Sequence, residues 1–382
     1  MEGVLFKAMW VSATYICPVR GLADLDPPDS MYLGKTARIA RSLGVDRLVI
    51  PVLEESLLRS ERQKVRFLDG LVRGLNQAED AGMGIRLMAP AQRILGVDWV
   101  APYLVRGALD PRAAPVFVDG ALRTLRPFTW WADPSTVRKR LESFRELVAA
   151  LSGHPALTGW VIMDRGLEWP TPLFQTADLI LRSYCAEIRS RDETGEICLS
   201  IGASALRHPQ MVRLLVPQVD ALYMRNVENR LDEWKRRDNS GEEIVLAAYL
   251  CSMANWLFGK EVSPEIGWSL MMNRGLREEA LSSVSVLGQQ EVPGVTWLNL
   301  IDPEMGLRSR PPWGLYPGLR KSGLLNRGGE PKEGVEAMIR EIRSRPHTGR
   351  AAEFIDIDQE DYSADPETHF RRLWDHFREA TG

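Results

Sequence analysis

The stretch Gly294-Val-Thr-Trp-Leu-Asn-Leu-Ile-Asp302 is a nearly unbroken apolar run with a carboxylate at its end. It predicts a buried strand over Val295–Ile301, because a strand covered on both faces shows no polar alternation. An aromatic loop, Trp313-Gly-Leu-Tyr316, comes next, and Gly323-Leu-Leu-Asn-Arg-Gly-Gly-Glu-Pro-Lys332 then turns into a helix predicted over Pro331–Arg345. Working outward, the same strand-then-helix unit recurs along the chain. Strands are predicted near Leu5–Ala13, Val45–Val52, Gly84–Ala89, Leu157–Met163, Glu196–Ile201, Val219–Met224 and Glu243–Leu250. Helices are predicted over Met31–Leu43, Gln63–Ala81, Ser135–Leu151, Phe174–Arg191, Pro209–Val216, Glu228–Arg237 and Pro264–Leu287. Eight alternations imply an α/β fold of the (β/α)8 TIM-barrel kind. A doubly wound open sheet is the weaker alternative, since no Gly-x-Gly-x-x-Gly follows any strand.

Length agrees. A barrel of this kind takes about 250 residues before insertions, and the chain has 382. The expected division is a barrel over 1–347 with an insertion at 91–133, then a C-terminal extension at 348–382. The insertion contains Val116-Phe-Val-Asp-Gly-Ala-Leu-Arg-Thr-Leu, the pattern of a hairpin with an Asp-Gly turn. The extension ends in an amphipathic helix, His369–Ala380, expected to pack on the barrel or on a partner.

Composition narrows the function. Lys and Arg number 48 against 51 Asp and Glu, so the whole chain carries no charge signal for nucleic acid. Cys17, Cys185, Cys198 and Cys251 form no Cys-x-x-Cys pair, and the five histidines have no metal-ligand spacing, so neither metal nor cofactor is expected. No apolar run reaches membrane-spanning length and no signal peptide is evident, so the expected location is cytoplasmic, away from membranes. Gly-x-Ser-x-Gly and phosphate-loop motifs are missing from the sequence.

The run His154-Pro-Ala-Leu-Thr-Gly-Trp160-Val-Ile-Met-Asp164-Arg165 and the segment from Gly294 to Lys332 resemble the fourth and eighth units of (β/α)8 glycoside hydrolases. The resemblance is strongest to the retaining clan that includes the cellulases and β-galactosidases. It implies a carbohydrate partner, an oligo- or polysaccharide. It also implies an Asn-Glu pair ending strand four, whose Glu is the acid/base, and a nucleophilic Glu ending strand seven. Here Asp164-Arg165 stands at the first place. Glu243–Leu250, taken as strand seven, has no carboxylate at its C-terminal end. A weaker similarity links Gly166-Leu-Glu168-Trp-Pro170 to the strand-four motif of chitinase-type enzymes.

Catalytic groups of such barrels lie at the C-terminal ends of the strands. The candidates there are Asp164 or Glu168 as proton donor and Asp302 as its partner. An inverting pair stands roughly 6.5–9.5 Å apart. The competing role is structural, with Asp164 paired to Arg165 and Asp302 to Arg308 or Arg310. Indole faces stack on the C–H faces of sugar rings, so Trp130, Trp131, Trp169, Trp256 and Trp313 are the candidate glycan contacts, with Tyr223 and Asn226 beside the sixth strand end. Two functions follow. The chain hydrolyses a glycan through rim carboxylates, or it is a catalytically inactive glycosidase-like barrel that binds glycan or scaffolds polysaccharide assembly.

Overall fold

The computed structural model describes residues 8–21, 30–57, 60–104, 115–118, 120–124, 132–164, 173–225, 240–267, 278–290, 292–345 and 353–381. Eight parallel strands close into a barrel: β1 (Trp10–Thr14), β2 (Arg47–Leu53), β3 (Gly84–Ala91), β4 (Leu157–Ile162), β5 (Glu196–Gly202), β6 (Ala221–Arg225), β7 (Val262–Ile266) and β8 (Gly294–Trp297). Each strand pairs with its sequence neighbours, and β8 closes on β1 through Ser12↔Thr296. The helices around it are α1 (Ser30–Ser42), α2 (Glu61–Asp80), α3 (Pro134–Leu151), α4 (Phe174–Arg189), α5 (Pro209–Leu215), α6 (Ser240–Phe258), α7 (Glu278–Gln289) and α8 (Val335–Ser344). The C-terminal segment adds α9 (Gln359–Ala364) and α10 (Pro366–Thr381). The predicted helix Glu228–Arg237 lies outside the described residues.

Alternation along the strands sorts the core into two layers. Leu48, Ile50, Leu87, Trp160, Leu199 and Leu222 belong to the larger cluster with the helices, and Val49, Met88, Val161, Cys198 and Tyr223 to a second one. Arg86, Gly159 and Glu196 share one register row on β3, β4 and β5. Gly159 makes that row possible, because a Cβ there would stand 2.5 Å from the Glu196 carbonyl oxygen.

The seventh strand departs from the sequence expectation. The apolar run Ile244–Trp256 is not a strand but the body of α6. Ile244, Leu246, Ala247, Tyr249, Leu250 and Met253 are all buried, so no polar stripe betrays a helix. The reason is the C-terminal segment, which covers the side of α6 away from the barrel. Tyr249 meets the rings of Phe354, Phe370, Trp374 and Phe377 and donates its hydroxyl to the Phe370 carbonyl. The seventh strand is Val262–Ile266, where the sequence suggests the start of a helix at Pro264.

The insertion forms a small sheet. Arg93–Ile94 runs antiparallel to Val97–Trp99, which pairs in parallel with Pro115–Val118, itself hairpinned to Ala121–Thr124. The predicted hairpin is present, and Gly120 supplies the left-handed turn position at φ 73°. Ile94, Leu95, Val97, Trp99 and Phe117 share a buried cluster with barrel residues Val49, Met88 and Val161, so the sheet packs over the barrel mouth.

Candidate functional site

Three charged side chains meet at the C-terminal end of the barrel. Arg225, the last residue of β6, donates from Nη1 to Asp164 Oδ1 at 2.7 Å and from Nε to Glu265 Oε2 at 3.0 Å. Asp164 follows β4, just past Met163, whose φ of 59° is left-handed. Its other oxygen, Oδ2, accepts the backbone amides of Gln92 at 2.7 Å and Arg93 at 2.8 Å. Glu265 stands on β7, and its Oε1 accepts the Thr14 hydroxyl of β1 at 3.3 Å. Asp164 is 1% exposed and Glu265 6%. Burial works against the charge on Arg225, but the two carboxylates outweigh it and hold the guanidinium above its ordinary pKa.

The network continues into the insertion and across the mouth. With its amide oriented to satisfy its neighbours, the Gln92 side chain donates to the Asp164 carbonyl at 2.9 Å and accepts from Arg140 Nη2 at 3.0 Å. Arg140, on α3, pairs with Glu54 at 2.6 Å, and Glu54 accepts the Tyr103 hydroxyl at 2.6 Å. Burial raises the Tyr103 phenol well above its usual range, helped by Glu54. Glu54 after β2, Asp164 after β4 and Glu265 on β7 are thus each matched to an arginine.

Asp302 is separate. It pairs with Lys332 Nζ at 2.7 Å and accepts the Gly323 amide at 2.9 Å. Its direct partner is therefore Lys332, from the turn before α8, rather than Arg308 or Arg310. Burial raises the Asp302 carboxyl above its ordinary range, while Lys332, the Gly323 amide and Arg308 pull the other way, and the same burial lowers Lys332.

The other expected site residues fall into three groups. Glu168, Trp130, Trp131, Trp169 and Asn226 lie outside the described residues. Tyr223 is buried inside the barrel, and Trp313, in the loop after β8, is buried against Gly21. Trp256 is not at the mouth. It sits on α6, edge-on to Tyr362 of the C-terminal segment with centroids 5.6 Å apart, outside the barrel. Among the described residues no three His, Cys, Asp or Glu side chains come together as a metal site, and no helix is long and apolar enough to cross a membrane.

Sequence reading missed Glu265, Arg225, Thr14 and Gln92. A signal for the first was present. Gly259, at φ 63° just past α6, is a helix stop. Reading it as one makes Ser240–Phe258 a helix and leaves Val262–Ile266 as the strand, with Glu265 on it.

The sequence matches no protein-family model and no curated protein. Solved structures do match. One is the GH5_18 protein from Streptomyces cattleya in complex with GlcNAc, with 17% identity, 88% of this chain and 80% of that one covered, and a TM-score of 0.67. Another is the exo-β-1,4-mannosidase Op5Man5 from Opitutaceae bacterium strain TAV5, with 14% identity, 88% and 60% coverage, and a TM-score of 0.68. A third is a GH5_18 variant from Bifidobacterium longum in complex with Manβ1-4GlcNAc, with 16% identity, 90% and 80% coverage, and a TM-score of 0.67. The chain shares its fold with these (β/α)8 glycoside hydrolases.

Proposed function

We propose that the chain is a glycoside hydrolase-like protein that takes an oligo- or polysaccharide at the barrel mouth and uses Glu265 as the reacting carboxylate. The observation that carries this reading is the place of Glu265 on β7, ion-paired to Arg225 and hydrogen-bonded by Thr14. The end of strand seven is where the resembling clan keeps its nucleophile. Asp164 and Asp302 supply no proton in this reading, since Asp164 is held by Arg225 and two backbone amides and Asp302 by Lys332 and the Gly323 amide. Glu168, four residues past Asp164, is the proton donor. Glu265 attacks C1 while Glu168 protonates the departing oxygen. Water, deprotonated by Glu168, then releases the sugar with retained configuration. The mannosidase and the Manβ1-4GlcNAc complex among the structural neighbours make β-mannosides the first substrates to try.

A second reading is glycan binding without turnover. It is favoured by Asp164, whose two oxygens are fully engaged, and by Arg165, which follows it where the clan places its acid/base. A comparison of leaving groups separates the two. Dinitrophenyl β-glycosides need no proton donor, whereas disaccharides do. For the hydrolase, Glu265→Gln abolishes release from both, and Glu168→Gln abolishes release from the disaccharide alone. Glycan binding with no release from either substrate supports the second reading. Failure to bind or cleave any glycan discards both.

A further inference from the structure

We infer that Asp164 is a positioning residue that makes the seating of the insertion and the placement of Glu265 one event. Its functional consequence rests on the role given to Glu265 above; the linkage itself rests on the geometry. The carboxylate of Asp164 has two occupied faces. Oδ1 takes Arg225, and Oδ2 takes the amides of Gln92 and Arg93, the residues with which the insertion begins. Arg225 passes the connection on through Nε to Glu265. A second strap runs from the Gln92 side chain through Arg140 and Glu54 to Tyr103, further along the insertion. Both ends of that strap belong to the insertion, and its middle is buried. Met163, held in the left-handed region, turns the chain immediately before Asp164, a conformation a methionine keeps only where the surroundings enforce it.

The consequence follows from the loss of two fixed donors to a buried charge. If Gln92 and Arg93 lift, Asp164 Oδ2 loses both of its donors. Water entering in their place is a less ordered set of donors than two fixed backbone amides, and the nearest fixed cation is Arg225. A guanidinium bridging two carboxylates cannot follow one without loosening the other. Undocking the insertion therefore withdraws Arg225 from Glu265, and a glycan that needs Glu265 in place selects the seated insertion.

Two measurements on the full chain test this. The first is amide exchange across residues 88–104, which needs no activity. The second is the rate at which a dinitrophenyl 2-fluoro-β-glycoside modifies Glu265. The variants are Gln92→Leu, which touches neither Arg225 nor Glu265, Asp164→Asn, which keeps size but cannot accept on both faces, and Arg225→Met. All three are expected to speed exchange at residues 92–93 by about tenfold or more, the effect of losing a charged hydrogen bond. Gln92→Leu and Asp164→Asn also slow modification of Glu265 by a similar factor. The proposal is overturned if exchange speeds up while modification of Glu265 keeps its wild-type rate. It is equally overturned if Asp164→Asn and Gln92→Leu leave exchange unchanged. Should the wild type not be modified at all while Arg225→Met still frees residues 92–93, the reading of Glu265 fails and the linkage stands. Should the wild type be modified with no exchange response in any variant, the linkage fails and the reading of Glu265 stands.

Discussion

Among the described residues, a charged cluster toward the base of the barrel and one at its mouth are inverse in composition. Toward the base, two guanidiniums share one carboxylate: Arg47 and Arg86 both reach Glu196, and both lie over the ring of Trp10, at 4.5 and 5.5 Å. At the mouth, two carboxylates share one guanidinium, that of Arg225. The base cluster is built from strand residues and opens to water, with the Glu196 side chain 33% exposed. The mouth cluster is buried, with the Asp164 side chain 0% and that of Glu265 5% exposed, and it recruits backbone from the insertion. In barrels of this kind the base serves stability and the mouth serves chemistry. Here the difference lies in what each cluster is attached to. The base cluster ties strand to strand, whereas the mouth cluster ties strands to a loop.

That contrast can be broken by the same substitution at both ends. Arg225→Met strands two buried carboxylates and is expected to cost about 3–5 kcal/mol in chemical denaturation. Arg86→Met leaves Glu196 with Arg47 and with water, so about 2–3 kcal/mol is expected from the same experiment. Equal costs at the two ends would mean that the buried and the solvated cluster do not differ in this respect.

The smallest expected effect concerns Asp302, outside both clusters. Its carboxyl pKa is raised in the folded protein, chiefly by burial. A carboxyl raised on folding binds its proton more tightly in the native state. Its stabilising contribution is therefore full below the ordinary carboxylate value and is lost as pH climbs through the raised one. The stability of the wild type relative to Asp302→Asn should fall as pH rises across the acidic range. A relative stability that rises instead would mean the Lys332 pair, not burial, governs this group.

The barrel was legible because seven of its strands are apolar runs punctuated by glycine, proline and acid-rich turns. The eighth-unit segment announced itself through Asp302 and the turn to Lys332. The seventh strand was not legible, for a reason lying far away in sequence. The aromatic face of α10 covers α6, so α6 needs no polar side and its run imitates a strand. Five residues with a proline among them make a poor strand signal beside it. The site suffered from the same error, since Glu265 stands on the strand that was misplaced. Asp164 was named from its position as a candidate proton donor, but its occupation was invisible, because backbone amides 71 and 72 residues away carry no signature in the sequence. Trp256 misled for a simpler reason. An indole satisfies a packing contact as well as a sugar contact, and only the helix assignment tells them apart.

In the proposed reaction Glu265 is the reactive group of the mouth and Asp164 its clamp. The most direct measurement is to map, by peptide mass spectrometry, where a dinitrophenyl 2-fluoro-β-glycoside attaches to the full chain. A single adduct is expected on the peptide carrying Glu265, and it should be lost in Glu265→Gln. An adduct on Asp164, or one that persists in Glu265→Gln, would contradict that assignment.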